Sequence, residues 1–168
     1  MQTANDNFLI LLQENKRILF KICNAYCNNA ADREDLAQEM IYQLWKSFQS
    51  YNTEYRFSTW MYRVALNVAI SFYRKEKRTF QKVMIGDQVL TLTDDNLSSS
   101  ELEANIILLQ QFIHELKELD RALMLLYLEE KSYLEIAEIL GITETNIATK
   151  ISRIKEKLKT RFRNINTF

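Results

Sequence analysis

Thr145, Asn146, Thr149, Lys150 and Arg153 have the side chains best suited to chemistry in this chain. They set short hydroxyl and amide groups beside two cations. On a helix they lie outward of Ile147, Ile151, Ile154 and Leu158, whose 4-3-4 spacing marks an inward stripe. Such an outward face suits base edges and phosphates in a DNA major groove. The plainer alternative is an amphipathic hairpin with a solvated basic face. The residues around this helix favour the first reading. Ser132 followed by Glu135 is a capping-box start for a preceding short helix, whose apolar side is Ile136, Ala137, Ile139 and Leu140. Gly141 falls where a helix–turn–helix needs positive φ, Ile142 plugs the turn, and Thr143 caps the next helix.

Other chemistries have little to work with. Two isolated glycines, Gly86 and Gly141, exclude a Gly-rich phosphate loop, and the single histidine, His114, excludes the usual zinc and triad arrangements. Neither a catalytic site nor a cofactor is expected. Cys23 and Cys27 stand one helical turn apart among Leu19, Ile22 and Tyr26, and read as small buried apolar residues. A disulfide inside one turn is geometrically poor. His114 reads as a surface or boundary residue of an amphipathic helix.

The elements that position these residues are all-α. The chain has 168 residues, 47% of them hydrophobic, with no proline, so it lacks the turn residues that sheets need. A first helix spans 7–28, with Phe8, Leu11, Leu12, Ile18, Leu19 and Ile22 inward and a break near Asn15. Asp32 caps a second, 33–48, with Leu36, Met40, Leu44, Trp45 and Phe48 at helical spacing. A polar and aromatic loop, 49–57, leads to a third helix capped by Ser58 or Thr59 and running to about Lys77. Its inward side is Met61, Val64, Ala65, Val68 and Phe72; Arg63, Asn67, Ser71, Arg74, Lys75 and Arg78 face out. Periodicity then fails until helices resume at 101–117 and about 120–129. The expected organisation is two small helical domains, 5–80 and 101–165, joined by a flexible acidic linker at 81–100 that leaves their angle free.

Net charge is zero, but it is unevenly spread. Residues 1–82 carry 12 basic and 8 acidic side chains, residues 83–142 carry 3 and 12, and residues 143–168 carry 7 and 2. Two basic ends flank an acidic middle. Each end can still hold phosphate, because charges more than about 10 Å apart are largely screened. The acidic middle should weaken stand-alone binding to duplex, which points to a second, larger partner. No apolar run approaches the roughly 20 residues that span a bilayer. The FLILL run at 8–12 is too short for a signal sequence. The expectation is a soluble, cytoplasmic protein without membrane insertion.

Four stretches together resemble the extracytoplasmic-function (ECF) sigma factors, the small two-domain branch of the bacterial sigma-70 family. They are DREDLAQEMIYQLW at 32–45, FSTWMYRVALN at 57–67, VAISFYRKEKR at 68–78 and the helix–turn–helix. The resemblance covers about residues 10–80 and 105–162. Their order and spacing are far more specific than a helix–turn–helix alone.

The resemblance implies a non-enzymatic subunit whose partners are core RNA polymerase, promoter DNA and an anti-sigma factor. It places Asp35, Gln38 and Glu39 against the polymerase clamp; a carboxylate–amide cluster on a rigid helix suits a basic, polar docking site. It makes the third helix and its preceding loop the holder of the non-template −10 strand. Aromatic faces can stack a flipped base there, and an Asn or Arg edge can hydrogen-bond it. The loop offers Tyr51, Tyr55 and Phe57, and the helix offers Trp60, Arg63 and Asn67; Trp60 suits the core equally well. Arg74, Lys75, Lys77 and Arg78 form a phosphate clamp. Thr145, Asn146, Thr149, Lys150 and Arg153 read the −35 element.

The chain departs from the family pattern at Ser71, where Asp is usual, and at Thr145-Asn146-Ile147-Ala148, where Gly-Thr-Val-Lys is common. These positions lie near bases, so they bear on the promoter sequence and not on the fold. The competing reading is a stand-alone helix–turn–helix regulator with a sensor or dimerisation domain in front. A sensor needs a pocket, whereas the front half shows a basic, aromatic-laced helix.

Overall fold

The computed structural model describes residues 2–83 and 101–165. Among them every regular element is helical: α1 (Gln2–Tyr26), α2 (Ala30–Ser47), a 3-10 turn (Phe48–Ser50), α3 (Phe57–Val83), α4 (Glu101–Glu115), α5 (Glu118–Leu128), α6 (Tyr133–Leu140) and α7 (Glu144–Ile165). None of these helices is long and apolar enough to cross a membrane.

Helices α1, α2 and α3 pack together in the front half, and α4 to α7 make the rear half. Ile22, Leu36, Met40, Leu44, Met61 and Ala65 are wholly buried in front; Leu123, Leu126, Ile136 and Ile147 are wholly buried behind. Each such Ile, Leu or Met side chain removed from water contributes about 1.5–3 kcal/mol, and the Ala65 methyl less.

Several sequence expectations change at the helix ends. α1 is unbroken, because the Asn15 amide donates to the Leu11 carbonyl (2.8 Å) and satisfies itself along the helix. The cap of α2 is Asn29 and not Asp32: its side-chain oxygen accepts from the Asp32 N–H at 2.8 Å. Asp32 then sits in the first turn, where the helix dipole favours a carboxylate. α3 starts at Phe57, so Ser58 and Thr59 lie inside its first turn and do not precede it. It also runs past Lys77 to Val83, and the remainder of the expected linker, 84–100, lies outside the described residues.

Trp45 is 53% exposed, not inward. Leu36, Met40 and Leu44 make a strict four-residue stripe, and the next residue is turned about 100° away from it. α5 ends without glycine: Glu130 takes φ 57°, its N–H donates to the Tyr127 carbonyl (3.0 Å), and the Lys131 N–H donates to the Leu126 carbonyl (3.1 Å). These two bonds make a Schellman end.

The two halves are packed together. α5 lies against α1 and α3, α6 against α3, and α4 against α1. The seam centres on Arg121 of α5, which is 1% exposed. One terminal nitrogen donates to the Ala25 carbonyl of α1 (3.2 Å). The other reaches the Leu116 carbonyl (3.1 Å), the Tyr73 hydroxyl (3.4 Å) and the His114 carbonyl. The guanidinium carbon lies 4.5 Å from the Tyr73 ring centre and 5.3 Å from that of Tyr26, within cation–π range of both. Around it, the Tyr26 hydroxyl donates to the Glu118 carbonyl (2.6 Å), Arg74 pairs with Glu118 (2.7 Å), and Lys21 pairs with Glu129.

His114 is half-buried at the same seam, and burial followed by the Arg121 charge lowers its pKa. Cys23 and Cys27 are free and buried, as their spacing predicts. Burial pushes their thiols up to about 11 and about 12, so they are neutral at physiological pH.

Candidate nucleic-acid interface

The helix–turn–helix is built as its residues predict. The Ser132 hydroxyl accepts from the Glu135 N–H (3.2 Å), and the Glu135 carboxylate accepts from the Ser132 N–H (2.8 Å), a complete capping box. The bond to the Ser132 N–H is the main reason the Glu135 carboxyl is held below its usual range. Gly141 ends α6 at φ 69°, ψ 30°, and its N–H returns to the Ala137 carbonyl at 2.9 Å. The Thr143 hydroxyl then accepts from the Asn146 N–H (3.2 Å) and opens α7. Ile147, Ile151 and Ile154 are buried against the rear core.

That framework presents Thr145, Asn146, Thr149 and Arg153 outward, all exposed. The Thr149 hydroxyl donates to the Thr145 carbonyl at 3.0 Å, which leaves its lone pairs for an incoming donor. Lys150 differs from the other four. It is half-buried and pairs with Asp120 of α5 at 3.3 Å, so it ties α7 to its own half. Further along α7, the Lys155 ammonium lies 4.3 Å from the centre of the Tyr127 ring, and Arg161 forks onto Glu115.

The front half carries a second surface. Trp60, Arg63, Asn67, Ser71, Arg74 and Arg78 follow 3-4-4-3-4 spacing along one side of α3. All are exposed except Trp60, which is half-buried. Lys75 is exposed beside them. Trp60 belongs to an aromatic cluster: its ring centre lies 5.1 Å from Tyr51, 5.3 Å from Phe57 and 6.1 Å from Phe48. It therefore joins both alternatives, with part of its ring packed and part open. Phe57 is 7% exposed and serves the core, so it is not offered to a base. Tyr51 is half-buried, and its hydroxyl donates to the Tyr55 carbonyl (2.6 Å), which fixes the loop; Tyr55 is left exposed. Beside this cluster lies an open pocket of about 350 Å³, walled by Ser50, Asn52, Tyr55, Thr59, Trp60, Arg63 and, from α6, Glu138.

A third surface is the outer side of α2. Asp35, Gln38 and Glu39 are exposed, opposite the buried Leu36, Met40 and Leu44. The Glu39 carboxylate accepts from the Gln43 amide at 2.9 Å.

Sequence reasoning missed three residues that shape these surfaces: Arg121, Glu118 and Glu138. Glu118 engages Arg74, and Glu138 reaches the aromatic pocket. The one local signal was Arg121 itself, a cation standing directly before the apolar run ALMLLYL.

Comparison with known proteins matches the two halves separately. Residues 11–79 match the family model for sigma-70 region 2, and residues 106–158 match that for sigma-70 region 4. The chain is 31% identical to the ECF RNA polymerase sigma factor SigW of Bacillus subtilis, across 95% of this chain and 91% of that protein. It is also 31% identical to SigM of the same organism, across 75% of this chain and 77% of that one.

Among solved structures, the sigma factor RpoE, in complex with the anti-sigma factor NepR from Bartonella quintana, superposes with a TM-score of 0.66. The match covers 97% of this chain and 98% of that one at 18% identity. CnrH, in complex with the cytosolic domain of CnrY, gives 0.68 at 16% identity, covering 97% and 94%. Both share the fold.

Proposed function

We propose a division of labour between the two halves of this chain, which belongs to the extracytoplasmic-function branch of the sigma-70 family. It is an RNA polymerase sigma factor that directs core polymerase to specific promoters. The front half, residues 5–80, would grip the polymerase clamp and capture the opened −10 strand. The rear half, 101–165, would read the −35 duplex. The protein works in the cytoplasm beside core polymerase as a specificity subunit, without catalysis of its own, and an anti-sigma factor is a natural inhibitor.

One observation carries this assignment of roles. Two chemically different exposed surfaces sit on separately matched regions: a small polar face at the start of α7, and an aromatic, basic side on α3. The first suits paired base edges and the second suits an unpaired strand. Co-purification with core RNA polymerase, followed by run-off transcription, tests it. Failure to associate with core would overturn it.

Three substitutions test the individual surfaces. Gln38→Ala with Glu39→Ala should weaken core binding while helical content and melting temperature stay within error, since both side chains point to solvent. A large loss of thermal stability would place them on the wrong face.

Asn67→Ala should impair −10 capture more than −35 binding, because Asn67 lies two turns beyond Trp60 on the same side of α3. A template with an unpaired −10 bubble should recover part of the defect. Equal loss on −35 duplex contradicts the assignment.

In the recognition helix, Asn146→Ala removes a base-edge contact, costs about 1–3 kcal/mol and relaxes preference at one −35 position. Arg153→Ala removes a phosphate contact, weakens all sequences alike and lowers the salt slope by about 1. Binding-site selection with holoenzyme separates the two. An unaltered motif with Asn146→Ala would move the reading face elsewhere.

A further inference from the structure

One cavity is unused by the surfaces described so far. It is an open pocket of about 380 Å³ on the seam, walled by α1, the first turn of α2, α4 and the end of α5. None of the residues assigned to DNA or to polymerase lines it. Its polar wall is rich in donors. Lys21 and Arg33 bring two cations, and Asn24 and Gln110 bring two amides. Among the described residues, Glu129 is the one carboxylate in the wall; it pairs with Lys21, whose side chain is still 44% exposed. An ammonium has three N–H groups, so that pairing does not exhaust it. Arg33 is half-buried, yet its buried Nε has no hydrogen-bond partner, so the guanidinium is not pinned through that atom. His114 lies in the same wall under positive potential: burial, then the charges of Arg121 and Arg33, lower its pKa. The rest of the wall includes Ile113, Leu125 and Leu128, the last an apolar side chain left 48% exposed.

We propose that this pocket is a binding site for a small phosphomonoester with an apolar or aromatic body, a ligand of nucleoside monophosphate size. A guanidinium fork beside an ammonium suits a terminal phosphate, which offers three acceptor oxygens and close to two charges. The apolar residues suit a ring lying against them, and the Asn24 and Gln110 amides can each donate to and accept from its polar edge. The volume is at the small end of ligand cavities, enough for one metabolite and not for a polymer. The site is independent of the sigma reading, because it shares no residue with the −10, −35 or clamp surfaces.

Calorimetric titration of the full chain with AMP, adenosine and inorganic phosphate, at one fixed salt concentration, tests this. AMP should bind at least about tenfold more tightly than either fragment, because only AMP meets both kinds of wall. Arg33→Gln and Lys21→Gln should each weaken AMP binding about tenfold, the loss of one charge-assisted contact. Lys46→Gln removes the same charge about 20 Å along α2 from Arg33 and should change affinity by less than about twofold. Glu129→Gln should tighten binding about threefold or more, since it removes the repelling charge and releases Lys21. A gain of that kind cannot come from a misfolded chain. His114 is the only histidine in the sequence, so its ring-proton resonances report on this pocket alone. They should move as AMP is added, and the His114 pKa should rise, because a nearby anion favours the imidazolium. No binding of AMP, a fragment that binds as tightly as AMP, equal weakening by Lys46→Gln, no gain with Glu129→Gln, or an unmoved His114 signal overturns the proposal.

Discussion

Adding core RNA polymerase should raise the affinity of this chain for promoter duplex by about 10³-fold or more, the usual gap between non-specific and specific DNA binding. Alone, the chain brings no net charge to a polyanion, and its acidic middle lies between two basic ends. The polar face at the start of α7, with Thr145, Asn146, Thr149 and Arg153, is exposed but small, and Arg74 on α3 is paired with Glu118. A surface of that size supports dissociation constants of about 10⁻⁴–10⁻⁶ M at physiological salt. In holoenzyme, the −35 contacts and the −10 contacts act on one DNA molecule, and linkage converts the second binding into an intramolecular event. Dissociation constants of about 10⁻⁸ M or below are then expected. Fluorescence anisotropy with one labelled promoter, with and without core, measures both at a fixed salt concentration. Nanomolar, sequence-specific duplex binding by the chain alone would contradict this and would fit a stand-alone helix–turn–helix regulator.

What was legible in the sequence is what local chemistry determines. The capping box at Ser132 and Glu135, the left-handed Gly141 and the Thr143 cap each act within four residues, so the helix–turn–helix could be read directly. The 4-3-4 isoleucine stripe of α7 and the solvent side of α3 follow from periodicity in the same way. The errors have two causes. Asn29 and Asp32 are both good cap residues, and only geometry selects Asn29, through the tight connection that leaves α1. Phe57 and Trp60 look alike as aromatic residues near a loop; contacts with Phe48 and Tyr51 bury one and leave the other half-open. The seam was out of reach altogether. Arg121 meets Ala25 across 96 positions and Tyr73 across 48, and Glu118 meets Arg74 across 44, so no local window contains both partners. The pairing of Lys150 with Asp120 was out of reach for the same reason, the two being 30 residues apart.

Arg121→Met should be the most damaging single substitution on the seam. Methionine keeps much of the volume and flexibility, so the change mainly removes charge and donors. The carbonyls of Ala25 and Leu116 lose the guanidinium that satisfies them, and the Tyr26 and Tyr73 rings lose a cation. A hydrogen bond from a charged group contributes about 1.5–3 kcal/mol. The balancing gain is that no charge need be buried any longer, and Arg121 has no carboxylate partner among its hydrogen bonds; its Nε has none of any kind. Were that gain dominant, the variant would be more stable than the parent. The geometry argues otherwise: several acceptors and two ring faces surround the guanidinium, which amounts to a built site and not an isolated charge. The expected net loss is about 2–4 kcal/mol in urea denaturation, within the range for a disrupted buried network. The loss should fall mainly on the docking of the two halves. The helix–turn–helix has its own caps and its own buried Ile136, Ile147 and Ile151, so native-state hydrogen exchange in α7 should be affected less than exchange in the first turns of α5. A change below about 0.5 kcal/mol, or equal loss of protection throughout both halves, would mean that Arg121 does not hold the seam.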